Sequence, residues 1–195
     1  TLGDGNGFKM GGEGLAVEHV LRNSLAFAND NAGITSNSNP AMIVENCTSV
    51  DNGKANFDFS YYTGVTPQFV ARNNISFRTK SGIRDNVPES LISDDNYFYN
   101  GSKSINASDQ EIVKWDFDSV EKPSFVERYE DGKINIGGFM VLAQTSSIEG
   151  GANLSDYSNI TNPEKPKEPE EPKEPEEPKE PEEPEEPEEP IKREW

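Results

Sequence analysis

The residues best placed to do chemistry lie at the start of the chain, in Gly3-Asp4-Gly5-Asn6-Gly7-Phe8-Lys9-Met10-Gly11-Gly12-Glu13-Gly14. Lys9 stands there on a glycine-rich, short-turned backbone. Its amine, a cation that becomes a base on losing its proton, is the candidate chemical centre. The other reactive side chains are poorly set. Cys47 is the sole cysteine, which rules out an internal disulfide and any Cys-x-x-Cys metal or redox pair. His19 is the sole histidine and has no serine or cysteine nucleophile motif near it, so packing or surface is its expected role. Gly3, Gly5 and Gly7 miss the Gly-x-Gly-x-x-Gly spacing of a dinucleotide loop. Asp4 and Asn6 open like a calcium loop, but Leu15 stands where an EF-hand needs its bidentate Glu. No metal ligand is assigned within this chain.

The elements that must position Lys9 emerge from a repeat. Leu21-Arg22-Asn23-Ser24-Leu25-Ala26-Phe27, Val44-Glu45-Asn46-Cys47-Thr48-Ser49-Val50 and Ala71-Arg72-Asn73-Asn74-Ile75-Ser76-Phe77 start 23 and then 27 residues apart. That period matches one coil of a β-solenoid. Alternate columns place Leu21, Asn23, Leu25 and Phe27, with their equivalents, on an inward apolar side, and Arg22, Ser24 and Ala26, with theirs, outward. An amide repeated in an apolar column must satisfy itself. Asn23, Asn46 and Asn73 are therefore expected to form an internal stacked ladder. A second set aligns Phe8, Ile34 and Phe57 inward, which turns Lys9, Thr35 and Asp58 outward as a solvent-facing stripe. Thr35, Asn37 and Asp58, below Lys9, are the candidate groove residues.

The opening twelve residues closely resemble the lysine-bearing segment of family 9 polysaccharide lyases, the pectate lyases built on a right-handed parallel β-helix. Asn23 to Asn29, Asn37-Ser38-Asn39-Pro40 and Asn46-Cys47-Thr48-Ser49 follow in the family's order. The resemblance is most specific over Gly3 to Phe59, weaker through Ala143 and absent from the tail. It implies an all-β fold and a secreted enzyme that cleaves polygalacturonate (pectin) by calcium-assisted β-elimination, with Lys9 as the base. An ordinary lysine, titrating near ~10.4, is neutral in about one molecule in a few hundred at pH 8. A lysine base therefore needs a bound divalent cation, desolvation under substrate, or an alkaline medium. In the family the calcium-binding aspartates precede the lysine segment, so Ca2+ ligands are expected upstream of residue 1. The chain begins at Thr1 rather than Met and reads as the C-terminal portion of such an enzyme, expected to be inactive alone. The alternative is a non-catalytic β-helix that binds polysaccharide or decorates a cell surface, with Lys9 contacting sugar or solvated.

Composition sets the rest. Of the formal charge of −18, half resides beyond residue 162, where ten of the fourteen prolines recur at every third position, separated only by Glu and Lys. Such a segment buries nothing and favours polyproline II. The expected organisation is 1–82 as the last coils of the helix, 83–145 as an extension packing on it, 146–162 as a flexible lead-out, and 163–195 as a spacer to another module or a cell surface. Net negative charge without a Lys/Arg stripe argues against nucleic acid. No apolar run of about eighteen residues exists to span a membrane. A monomer is expected.

Overall fold

The computed structural model describes residues 3–124 and 126–154; the spacer expected at 163–195 lies outside them. Nine short strands form three successive coils. The first holds β1 (Phe8–Lys9), β2 (Val20–Arg22) and β3 (Leu25–Phe27). The second holds β4 (Ile34–Thr35), β5 (Ile43–Glu45) and β6 (Thr48–Val50), and the third β7 (Phe57–Asp58), β8 (Val70–Arg72) and β9 (Ile75–Phe77). Each coil gives one strand to each of three parallel sheets, ordered β1-β4-β7, β2-β5-β8 and β3-β6-β9. Leu21 pairs with Val44 and Val44 with Ala71, so the offsets read from the sequence are coil lengths. Phe8, Ile34 and Phe57 form one column, and Lys9, Thr35 and Asp58 the next.

The lumen is filled from all three sheets: Ile34 and Phe57 from the first, Val44 from the second and Ala26 from the third, with Met42, Cys47, Phe59 and Phe98 between them. Phe98 closes the lower end, with ring centroids 5.5 Å from Phe57 and 6.3 Å from Phe59. Beyond β9 the solenoid continues only as single parallel bridges, Asp58 to Asn86 and Ile75 to Tyr97. The buried Asp85 accepts backbone N–H groups from Asn56, Phe57 and Tyr99 there. Desolvation pushes its carboxyl above the usual carboxylate range.

The ladder expected at Asn23, Asn46 and Asn73 is corrected. These residues are exposed, with φ of 47°, 51° and 53°, and each turns the corner between two strands of its coil. Asn tolerates this left-handed conformation better than other residues with a Cβ. The column is thus a stack of corners outside the core. Because the corner interrupts the alternation, Cys47 and Asn74 point inward and are fully buried, whereas period-two reading sent them outward. The same reversal turns Leu25, Phe27, Thr48, Val50, Ile75 and Phe77 out of the lumen.

Buried amides do form networks, at other positions. Asn52 Oδ1 accepts from both the backbone and side chain of Asn29, while Asn52 Nδ2 donates to Asn56 Oδ1, at 2.8–3.1 Å. Asn56 Nδ2 passes the chain on to Phe77 C=O at 2.8 Å. Asn74 Nδ2 donates to Val44 C=O and Asn96 Oδ1 at 2.9 and 3.0 Å. Fully bonded, these amides escape the cost of burial.

The apolar face left outside β3, β6 and β9 is covered by the C-terminal segment, in a second core with Ile112, Phe117, Ile136, Phe139, Met140, Val141, Ile148 and Leu154. Phe27 meets Phe139 edge-on at 5.1 Å, and Phe77 meets Phe117 at 5.1 Å. Ala152 N–H donates to Thr48 Oγ1 at 2.9 Å, and with Ile148 and Leu154 buried the stretch 148–154, expected within a flexible lead-out, packs on the third sheet instead. The segment carries two antiparallel ribbons, β10 (Phe98–Tyr99) with β11 (Ser104–Ile105), and β12 (Glu127–Arg128) with β13 (Ile134–Asn135). The connections from the first sheet to the second are the long ones: 10–19, 36–42 and 59–69.

Asn46→Gly should leave the melting transition nearly unchanged, whereas Asn46→Val should cost about 1–2 kcal/mol from backbone strain. Asn52→Ala, which strands buried partners, should cost about 1–3 kcal/mol. Equilibrium denaturation of the three variants checks this; an equal loss in Asn46→Gly and Asn52→Ala would restore the amide ladder.

Candidate active site

Lys9 ends β1, which pairs with β4 in the first sheet. Its Nζ lies 2.6 Å from Asp4 Oδ2, with the two side chains 46% and 61% exposed. The loop before it is tied to the second coil. Asn31 Nδ2 donates to Asp4 C=O at 3.2 Å, Asn31 N–H to Gly5 C=O at 2.9 Å, and Ala32 N–H to Asn6 Oδ1 at 3.1 Å. The loop after it is tied there too: Asn39 Nδ2 donates to Met10 C=O and Val17 C=O, each at 2.8 Å, and Asn37 Nδ2 to Gly11 C=O at 2.5 Å. A Cβ on Gly11 would stand 2.4 Å from Asn39 Cβ, so only glycine lets the two coils approach this closely. The motif glycine and the Asn37-Ser38-Asn39-Pro40 stretch one coil later thus form one clamp around the lysine.

The solvent-facing stripe is corrected in part. Thr35 and Asp58 lie in register with Lys9 but are only 5% and 4% exposed. Thr35 Oγ1 accepts Asn37 N–H at 3.1 Å. Asp58 accepts from Lys54 Nζ at 2.6 Å and Asn86 Nδ2 at 2.8 Å. Residues beside each strand fold back over the column, and Lys9 alone of the three reaches solvent. Asn37, half-buried, fixes the loop rather than opening to a groove. Asp4, set against Lys9, serves as its ion-pair partner and not as part of a calcium loop; its signal in the sequence is its place five residues before the lysine in a glycine-flanked turn. Cys47 is fully buried, and desolvation raises its thiol to about 11, so it supplies no nucleophile.

The Lys9 ammonium, through its hydrogen bond and charge, holds the Asp4 carboxyl below the usual carboxylate range. Among the described residues no group of three or more His, Cys, Asp or Glu is gathered to hold a metal. Asp4 and Asp58 are already paired with lysines. The residues present do not fit a calcium cage.

Comparison with known proteins agrees with this frame. The family described as "Pel9A-like, right handed beta helix region" matches residues 1–86. Pectate lyase L of Thermoclostridium stercorarium is 44% identical over 115 residues, covering 59% of this chain and 9% of that protein. Pectate lyase L of Paenibacillus polymyxa is 38% identical over 148 residues, 75% of this chain and 31% of that one. The crystal structure of pectate lyase Pel9A superposes with a TM-score of 0.50 at 27% identity, over 74% of this chain and 33% of that one. The chain therefore spans about a third or less of the length of these relatives. The fold is a right-handed parallel β-helix. The match of residues 1–86 to the Pel9A-like right-handed β-helix region is in line with the resemblance carried by Gly3 to Gly14.

A carboxylate whose folded-state pKa is depressed contributes stability above its ordinary range and loses it as pH falls through the folded value. In Lys9→Ala the Asp4 carboxyl should titrate at higher pH than in the parent, approaching the ordinary value of ~3.9. Carboxyl-carbon NMR titration of both proteins checks this.

Proposed function

We propose that this chain is the C-terminal part of a secreted pectate lyase that cuts polygalacturonate by β-elimination. The carrying observation is an exposed lysine whose flanking loops are both pinned to the neighbouring coil. In its neutral form the Lys9 amine takes the proton from C5 of a uronate residue, the carbon next to the carboxylate. The C–H electrons form a C4–C5 double bond, the C4–O bond breaks, and the departing oxygen takes a proton from solvent. Lys9 then returns its proton to solvent. A fixed amine lowers the entropic cost of proton removal. Calcium finds no cage among the described residues, and no step here depends on it; we place its ligands upstream, in keeping with the family resemblance.

One observation favours a non-catalytic polysaccharide-binding helix: the Lys9 amine is engaged by Asp4 in an ion pair that must open before the amine accepts a proton. Activity separates the two readings. In the full-length protein, Lys9→Ala should lower release of unsaturated uronides from polygalacturonate, followed by ultraviolet absorbance, by a factor of about 100 or more, with circular dichroism unchanged. Unaltered turnover would remove Lys9 from the chemistry.

A further inference from the structure

We propose that Tyr61 and Tyr62 form a sugar-stacking platform that binds the uronide polymer beside Lys9, an inference that rests on the polysaccharide reading above. The two rings are 42% and 52% exposed on the connection 59–69, which leaves the first sheet on the third coil as the loop 10–19 leaves it on the first. Both rings are held in place. Tyr61 packs edge-on against Phe69 with centroids 5.9 Å apart. Tyr62 lies over Gly14, where a Cβ would stand 2.5 Å from Cδ2; the glycine five residues after Lys9 is the seat of the ring. Fixed aromatic rings expose contact area at little further entropic cost.

The surroundings suit a polyanionic sugar. Exposed Leu15, Val17 and Val65 belong to the same two connections; 10–19 also carries the exposed Glu13 and Glu18, whereas 59–69 bears no charged side chain. In a chain of net charge −18, residues 59–71 contain no Asp, Glu, Lys or Arg. Carboxylates of a polymer laid on this stretch meet no fixed anion within it, while the apolar C–H face of each pyranose meets a tyrosine ring. Lys9 and the connection that bears the tyrosines belong to the first and third coils, about 10 Å apart along the axis at ordinary strand spacing, and Tyr62 reaches back to Gly14 of the first coil. A chain running along the helix therefore reaches both.

Two measurements on the full-length protein test this. In native gels containing polygalacturonate, the parent should be retarded. Tyr61→Ala/Tyr62→Ala should weaken retardation and raise KM on the order of tenfold with kcat little changed, while Tyr61→Phe/Tyr62→Phe should behave as the parent. Independently of how any variant folds, saturating polygalacturonate should protect both tyrosines of the parent from nitration, read by mass spectrometry. Unprotected rings, or full retardation of a folded alanine variant, would overturn the platform. If Lys9→Ala stays active while the rings are protected, the base assignment falls and the platform stands. A parent that polygalacturonate does not retard sinks the platform and leaves Lys9 to be judged by turnover.

Discussion

The structure depends on one constraint, the parallel backbone register between coils. Once Leu21 pairs with Val44 and Val44 with Ala71, every column is set, and each side chain finds its equivalent directly above or below. Columns must then be chemically self-consistent. Ile34 above Phe57 is an apolar stack; Arg22, Glu45 and Arg72 alternate in sign, with Glu45 bridging the two guanidiniums at 2.6 and 2.7 Å. Lys9 inherits its position from the same rule, in register with Thr35 and Asp58 of the first sheet.

Much of this was legible in the residues. The coil period, the pairing of Phe8 with Ile34 and Phe57, and the glycine-rich lysine segment all follow from spacing. The corners were not, because a single residue of left-handed backbone leaves no mark in hydrophobic periodicity. Asn23, Asn46 and Asn73 looked like ladder rungs since a repeated Asn suits both a buried amide stack and a left-handed turn. Mistaking one for the other inverted the parity of everything after it, so Cys47 and Asn74 were sent outward and Phe27 and Phe77 inward. At the candidate site, the register of Lys9 with Thr35 and Asp58 was readable from spacing, whereas the burial of Thr35 and Asp58 was not. It depends on where Asn37 and Lys54 fold back, a tertiary matter.

The inverted parity also explains why the chain needs its C-terminal segment. A solenoid wall with an apolar lumen side and a polar exterior stands alone. This third sheet is apolar outside, with Phe27, Val50 and Phe77 facing away from the lumen. Ile112 through Leu154 remove that surface from water, each large side chain contributing about 1.5–3 kcal/mol if fully buried. The small residues Ala26, Ser49 and Ser76 face the lumen instead, leaving room there for Phe57, Phe59 and Phe98.

Coil length varies almost wholly at the connections between the first and second sheets, which run to ten, seven and eleven residues, whereas the corners after β2, β5 and β8 are two residues each. Insertions on that rim leave the stacked walls untouched. The scaffold thus separates the walls, whose register fixes the fold, from one flank whose loops can change in length without disturbing the rest.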